Sequence, residues 1–363
     1  MSTQAPTEET LSASDLATRK TLMAGQLPKF TSLATLVVSI VVVSAILAGL
    51  GSFNLPTALI GGAILFLIAM GVMSSVVEGR RRASDRNARY VVTGAFIIAL
   101  VPLITLIWGT LSKGVERFDI EFFNSSMRNI IGEGGGAAHA ISGTLIVTGI
   151  ATLISVPIGI LTSIYLVEYG NNGRLARATT FFVDVMTGIP SIVAGLFAYT
   201  IFSMILGPGT KTGVAGAIAL TLLMIPVVVR STEDMLKLVP HDLREASYAL
   251  GVPKWRTILK IVLPTSIAGI ITGCILAVAR IIGETAPLLV AAGFTASQNL
   301  NPFDSPMTTL PVFVYYSYVT PGTPPDADHA RAWAGALTLI LIVMALNLIG
   351  RFLAAKFAPK PGR

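Results

Sequence analysis

Long apolar segments constrain this chain more than any other feature of its sequence. Eight such stretches recur between polar segments, at Ser32–Leu50, Leu55–Val77, Tyr90–Leu111, Ala140–Tyr165, Phe181–Leu206, Val214–Val229, Thr265–Gly283 and Trp333–Leu353. A helix needs about 20 residues to cross a hydrocarbon layer of roughly 30 Å. Each stretch meets that length, the sixth only if its helix continues through Arg230. The sequence therefore predicts an all-α, polytopic membrane protein with about eight transmembrane helices.

The composition agrees with membrane insertion and argues against a soluble protein. Of the 363 residues, 53% are hydrophobic and 12% are charged, whereas soluble domains carry about 25% charged residues. The net charge of +7 reflects basic loops between membrane segments, so we expect no nucleic-acid partner. Cys274 is the single cysteine and is expected to be a small packing residue. The three histidines are far apart in sequence, and we expect neither a metal site nor a cofactor.

The distribution of basic residues predicts the orientation. With the N-terminus in the cytoplasm, twenty Lys and Arg residues fall on the inner side and five on the outer side, and Arg280 lies within a membrane segment. The positive-inside rule therefore predicts that both termini are cytoplasmic.

The chain is predicted to have three parts. Residues 1–30 form a polar cytoplasmic tail, and residues 31–89 form a transmembrane hairpin followed by the basic loop EGRRRASDRNAR. Residues 90–363 form the main transmembrane domain, with a cytoplasmic loop at 231–264. The five arginines of the basic loop have two explanations, since they could contact anionic lipid or could simply determine topology.

A charged amphipathic segment within that loop carries a recognisable spacing. It reads EASYALGVPKWRTILKIVLP from Glu245 to Pro264, with Ala246 after the glutamate, Gly251 six residues on and Leu263 before the final proline. Acidic residues suit the start of a helix, glycine its end and proline the first turn of the next, so a compact helix–turn–helix is predicted. This spacing resembles the signature by which permease subunits of bacterial binding-protein-dependent ABC importers dock on their ATPase. The alternative is an ordinary linker between two membrane helices.

Four further stretches narrow the resemblance. GIPSIVAGLF at 188–197, VVVRSTEDMLKLVP at 227–240, ARIIGETAPLL at 279–289 and LPVFVYYSYVT at 310–320 look like the PstA-type permease subunit of phosphate ABC importers. The resemblance implies a location in the bacterial plasma membrane and a type I (MetI-like) core of six helices, with the N-terminal hairpin outside that pattern. It also implies four kinds of partner: a related PstC-like permease subunit, a PstB-like ATPase dimer, an extracytoplasmic PstS-like phosphate-binding protein and phosphate itself.

Charged and helix-breaking residues mark a candidate substrate pathway. A charge within a membrane helix costs about 2.5–3.5 kcal/mol on insertion scales and usually faces a polar cavity or a partner. Arg280 is predicted to share a helical face with Glu284, either lining an oxyanion pathway or forming a structural ion pair. Arg230 either contributes to the pathway or reaches the cytoplasm. The pathway set also includes Thr285, Pro190 and Ser191.

The fifth apolar stretch contains helix breakers. Gly188, Pro190 and Gly195 interrupt it, and such a broken helix can line a pathway. Asp184 is expected in the first turn of that helix, at its cytoplasmic end. The glycine-rich runs GEGGG and GPGTKTG do not match a phosphate loop, so no ATP site is expected in the chain.

Together these features predict a non-enzymatic permease subunit that moves phosphate by alternating access, with ATP hydrolysis on a separate subunit. Another oxyanion, such as molybdate or sulfate, is the alternative substrate. A membrane scaffold for an ATPase is the alternative outside transport. A membrane enzyme is disfavoured because no catalytic constellation lies in any helix.

Overall fold

In a computed structural model of the chain, residues 25, 27–28, 30–171 and 173–357 are described. Every regular element among them is helical, which confirms the predicted all-α class. The predicted tail at 1–30 lies mostly outside the described residues. The helices are α1 (Thr31–Gly49), α2 (Leu55–Val77), α3 (Arg80–Gly114), α4 (Ile120–Asn124), α5 (Ala138–Ile164), α6 (Arg174–Thr187), α7 (Ser191–Leu206), α8 (Gly213–Lys237), α9 (His241–Ala249), α10 (Lys254–Thr257), α11 (Leu263–Ile281), α12 (Ala286–Ala291), α13 (Leu310–Val319) and α14 (Pro325–Phe357).

The number of membrane-spanning helices agrees with the sequence. Seven helical segments in the described residues are long and apolar enough to cross a bilayer, and the bent pair α6–α7 makes eight if it counts as one span. Two of the seven include a π-helical turn, at Tyr165–Tyr169 after α5 and at Ile258–Val262 between α10 and α11. The sixth predicted span does continue through Arg230, because α8 runs for 25 residues to Lys237.

The chain divides into two compact units, one up to Leu106 and one from Ile107 onward. The division falls inside α3, which begins at Arg80 and is 35 residues long. The predicted loop at 78–89 is therefore wrong except for Glu78 and Gly79, because the residues after Gly79 continue into the membrane helix without a break. Alanine and arginine are good helix formers, which accounts for this early start. The predicted domain boundary at residues 89 and 90 stays a prediction.

The first unit is built around the face of α2 that packs on α1. Its buried residues recur at four-residue intervals from Ala58 to Ser74, and Gly62 among them allows α1 to approach closely at Ile40. Tyr90 of α3 packs its ring 5.0 Å from that of Phe66 and bonds the Ser32 hydroxyl at 2.6 Å. These contacts join the three helices of the unit.

The second unit is centred on α8, the most buried of its helices. One face of α8 contacts α5, where Gly159 brings the backbone against Val228 and Ser163 donates to the Val229 carbonyl at 2.8 Å. Another face contacts α11, where Gly273 lies against Ser231. Apolar side chains from α5, α8, α11 and α12 meet in the largest buried cluster of the unit. This packing fixes α8 and α11 as the walls of the site described next.

Candidate functional site

A sharp helix break shapes the site. The axes of α6 and α7 differ by 107°, and the break spans Gly188, Ile189 and Pro190. The prediction of one span over Phe181–Leu206 was therefore wrong in shape, because proline cannot continue the hydrogen-bond ladder and the residue before it avoids helical geometry. The prediction that these residues interrupt the helix is confirmed for Gly188 and Pro190. Gly195 instead lies inside α7, where an added Cβ would come within 2.6 Å of the Pro287 backbone, so its role is close packing with α12.

The break opens beside a small polar cavity. Its volume is about 240 Å³, and α6–α7, α8 and the end of α11 contribute its walls. The lining residues are Met186, Thr187, Ile189, Ser191, Leu223, Pro226, Val227, Arg280, Ile281 and Glu284. The structure thus brings together three of the predicted pathway residues, Ser191, Arg280 and Glu284. The wall contributed by α8 was not predicted, although Pro226, a proline inside an apolar helix, was a visible signal in the sequence.

Arg280 has no carboxylate partner within the described residues. Its side chain is exposed, and no carboxylate oxygen lies within 4.0 Å of its guanidinium there. The prediction that Arg280 and Glu284 share a helical face was wrong, and the structural ion pair that was the alternative to pathway lining is not formed. The reason is local, since α11 ends at Ile281 and a turn follows, in which the Glu284 amide donates to the Ile281 carbonyl at 3.1 Å. Arg280 and Glu284 therefore face one cavity as separate charges, and the guanidinium keeps its donors available for an anion.

Arg230 is held by carboxylates and does not line this cavity. Its guanidinium pairs with Asp184 of α6 and, at 2.7 Å, with Glu233 one turn further along α8. Glu233 also accepts from Lys237 at 2.7 Å. The predicted position of Asp184 was wrong, since it lies near the end of α6 rather than in the first turn of a membrane helix. Asp184 thus ties α6 to α8 just before the helix break.

The two remaining pathway residues do not line the cavity that contains Arg280. Pro190 is exposed and immediately precedes α7, next to the cavity-lining Ser191. Thr285 lines a different, mainly apolar cavity of about 540 Å³ with residues of α12 and α13. The structure therefore does not gather the predicted pathway set into one site.

The segment with the ABC-importer spacing folds as two short helices around a turn. Gly251 has φ of +74°, the left-handed conformation that ends α9, and Pro253 precedes α10. This is the predicted helix–turn–helix. Glu245 and Ala246 are exposed on α9, and Leu250, which follows the last residue of α9, is 83% exposed. This segment therefore presents apolar atoms and a carboxylate that makes no ion pair in the part of the chain that the structure describes.

The second half of this segment is continuous with a membrane helix. Pro264 is exposed in the first turn of α11, and the π-helical turn at Ile258–Val262 comes directly before it. Proline has no N–H to donate to the carbonyl four residues back, and its ring clashes with that carbonyl, so a wider turn relieves the conflict. Leu263 packs against a buried cluster that includes Leu236 and Val239. α10 is therefore continuous with α11 through this turn, and Arg280 lies in the last turn of α11.

A buried ion pair fastens α9 to the rest of the unit. Arg244 donates to Glu168 through Nε at 3.1 Å and Nη2 at 2.9 Å, and both side chains are at most 10% exposed. The same guanidinium donates to the carbonyls of Leu236 and Val239. Glu168 belongs to the π-helical turn after α5. The sequence analysis did not identify this pair, because 76 residues separate its members.

The family follows from comparison with known sequences. The family described as "Binding-protein-dependent transport system inner membrane component" matches residues 155–363. The chain belongs to this family. The match includes the helix break, the cavity and the segment from Glu245 to Pro264, and it begins after the first unit.

Curated relatives place the chain among PstA-type permeases, as the sequence motifs predicted. It is 46% identical over 288 residues to the phosphate transport system permease protein PstA of Mycobacterium leprae (strain TN), covering 77% of this chain and 92% of that protein. It is 45% identical over 285 residues to PstA 1 of Mycobacterium tuberculosis (strain ATCC 25618 / H37Rv), covering 76% and 90%. A solved bacterial ABC transporter involved in import of the acidic polysaccharide alginate superposes with a TM-score of 0.55 at 13% identity. That alignment covers 75% of this chain and 96% of the other, and shows a shared fold.

Proposed function

We propose that this chain is the membrane-spanning permease subunit of an ATP-driven phosphate importer. The observation that carries the proposal is Arg280, which lies in a polar cavity at a helix break and has no carboxylate partner among the described residues, in a chain of the PstA family. An ion in a low-dielectric layer needs compensating charge. A guanidinium offers a planar fork of donors suited to phosphate oxygens.

Alternating access would move phosphate past this cavity. The adjacent Glu284 would limit the affinity of Arg280 for phosphate, because a nearby carboxylate repels an anion. Weak binding is required for the ion to leave on the inner side. Another oxyanion, such as molybdate or sulfate, would satisfy the same charge requirement and is the alternative substrate.

The chain would act with partners that supply binding and energy. We assign the surface of α9 and α10 to a separate PstB-like ATPase dimer, with Glu245 meeting a basic residue and Leu250 an apolar one. A PstC-like permease subunit would complete the transmembrane pathway, and an extracytoplasmic PstS-like phosphate-binding protein would deliver phosphate. This assignment requires residues 231–264 and both termini to be cytoplasmic. The distribution of basic residues supports that orientation.

The test is uptake by the complete reconstituted complex. Radiolabelled phosphate should accumulate in vesicles only with ATP, the binding protein and an active ATPase, and unlabelled sulfate or molybdate should compete poorly. Strong competition by either ion would shift the assignment to that oxyanion. A complex that hydrolyses ATP but accumulates no anion would favour the scaffold alternative.

The orientation has its own test. A fluorescent protein that folds only in the cytoplasm should be bright when fused to the C-terminus, and alkaline phosphatase at the same position should be inactive. The reverse pattern would contradict the proposed orientation.

A further inference from the structure

The first unit contains a basic cavity that the transport proposal does not use. It has a volume of about 420 Å³ and is lined by Glu78, Arg82, Asp85, Arg86 and Arg89. The three arginines are spaced four and three residues apart on α3, so their side chains lie on one face of the helix. The cavity lies where the apolar helix α2 ends at Val77 and the polar start of α3 follows. That position is typical of the boundary between hydrocarbon and headgroups.

One arginine of this cavity is fixed in place. Glu78, whose side chain is 2% exposed, accepts hydrogen bonds from the Leu27 amide at 2.8 Å, the Ser74 hydroxyl at 2.7 Å and Arg86 Nη2 at 2.6 Å. The Leu27 amide, then the Ser74 hydroxyl, then the Arg86 charge lower the pKa of Glu78, so the carboxylate stays ionised at neutral pH. Arg86 Nη1 and Nε have no hydrogen-bond partner within the described residues. The cavity therefore has a preorganised cationic donor in its wall.

The other two arginines flank this donor without carboxylate partners. Neither Arg82 nor Arg89 has a carboxylate oxygen within 4.0 Å in the described part of the chain, and both are exposed. Asp85 is also in the lining, so the three arginines and two carboxylates leave one net positive charge. A group with a single negative charge would neutralise it. Topology determination needs basic residues but does not require them to surround a cavity.

We propose that this cavity binds a negatively charged phosphate group, presented either by an anionic phospholipid headgroup or by free inorganic phosphate. Arg86 would hold one phosphate oxygen, and Arg82 and Arg89 would close over the others with their planar donor forks. The two sources share this chemistry and differ in whether an acyl chain accompanies the phosphate.

The first arm of the experiment uses lipid. The purified full chain is titrated with phosphatidylglycerol in detergent, and bound lipid is counted by native mass spectrometry. The double variant Arg82→Gln/Arg89→Gln keeps the Arg86–Glu78 pair and so should fold. We expect it to bind phosphatidylglycerol about thirtyfold more weakly than the native chain, since each of the two arginines near an anionic lipid contributes about 1 kcal/mol.

The second arm uses inorganic phosphate. The full chain is placed in nanodiscs of phosphatidylcholine alone and dialysed against radiolabelled phosphate. Arg280→Gln is present throughout, so that the proposed pathway site does not contribute. If free phosphate is the source, Arg82→Gln/Arg89→Gln should lose this binding. Because Arg280 is already replaced, failure here leaves the transport proposal untouched.

The matched control removes two exposed arginines elsewhere, Arg174→Gln/Arg177→Gln, and so makes the same change in net charge. Loss in either arm with the control unaffected supports the proposal and identifies the source. Equal binding by the double variant and the control in both arms would overturn it.

Discussion

Arg244 and Arg280 lie on helices of the same unit in opposite circumstances. Arg244 is buried, paired with Glu168 and bonded to two carbonyls. Arg280 is exposed to a cavity and has no carboxylate within 4.0 Å in the described residues. Removing one partner of a buried pair leaves an uncompensated charge, and the consequence is structural. A guanidinium that has no partner contributes little to folding, and its charge remains available to a ligand. The comparison therefore separates an arginine that secures α9 from one that can serve transport.

The largest expected effect is on transport, at Arg280. Arg280→Gln should abolish phosphate uptake by the complex while expression and thermal stability stay close to native. Arg280→Lys keeps the charge but loses the planar fork, so uptake should fall partially. Arg128→Gln removes a charge elsewhere and is the control.

The charge exchange Arg280→Glu/Glu284→Arg sharpens this result. Since the two side chains form no ion pair in the structure, the exchange should not restore uptake. Full rescue would show that the two charges act as a pair after all and would return Arg280 to a structural role.

The second effect is on stability, at Arg244. Breaking a buried ion pair by removing one partner typically costs about 3–5 kcal/mol. Arg244→Met should therefore lower the unfolding temperature of the purified chain in detergent markedly, and Glu168→Gln should do so too. The double variant should recover part of the loss but not all, because the carbonyls of Leu236 and Val239 lose their donor. Additive losses in the double variant would contradict a direct pairing.

Comparison of the two arginines also shows what the sequence could predict. The length of the apolar segments was enough to predict the number of membrane spans. The spacing of proline and glycine was enough to predict the turn at Gly251, because both features are local in sequence. The Arg244–Glu168 pair was not predictable, since no local signal links positions 76 residues apart. The prediction that Arg280 and Glu284 share a helical face failed for a more local reason. Because α11 ends at Ile281, three residues before Glu284, the two side chains do not share a helical face, and helix ends are the least certain part of a sequence-based prediction.

The third effect concerns the turn at Gly251, which follows α9. Gly251 has a φ of +74°, and an added Cβ would meet no other atom within 4 Å. Glycine is therefore needed here for its backbone conformation and not because space is short. Gly251→Val should destabilise the turn by about 1–3 kcal/mol, and Gly251→Asn, which tolerates this conformation, should cost less. The ATPase activity of the assembled complex should likewise fall more in Gly251→Val than in Gly251→Asn. Equal loss in both variants would indicate that the ATPase surface rejects any side chain there, and equal retention would contradict a role for the turn.

The smallest effect is expected at Asp184. Replacing it tests whether its partner Arg230 is a structural arginine, like Arg244, or one that contacts the transported ion, like Arg280. Arg230 is 33% exposed and Asp184 is 59% exposed, so their ion pair is partly solvated. Such pairs contribute about 0–1 kcal/mol. Asp184→Asn also leaves Arg230 bonded to Glu233. Thermal stability should therefore shift slightly, and phosphate uptake should remain close to native.

Arg230→Gln provides the contrast, because it removes the charge itself and leaves Glu233 with Lys237 alone. If Arg230 is only structural, its variant should lose stability and uptake in proportion. A fall in uptake at native stability would instead place Arg230 with Arg280, as a cation that the transported ion meets.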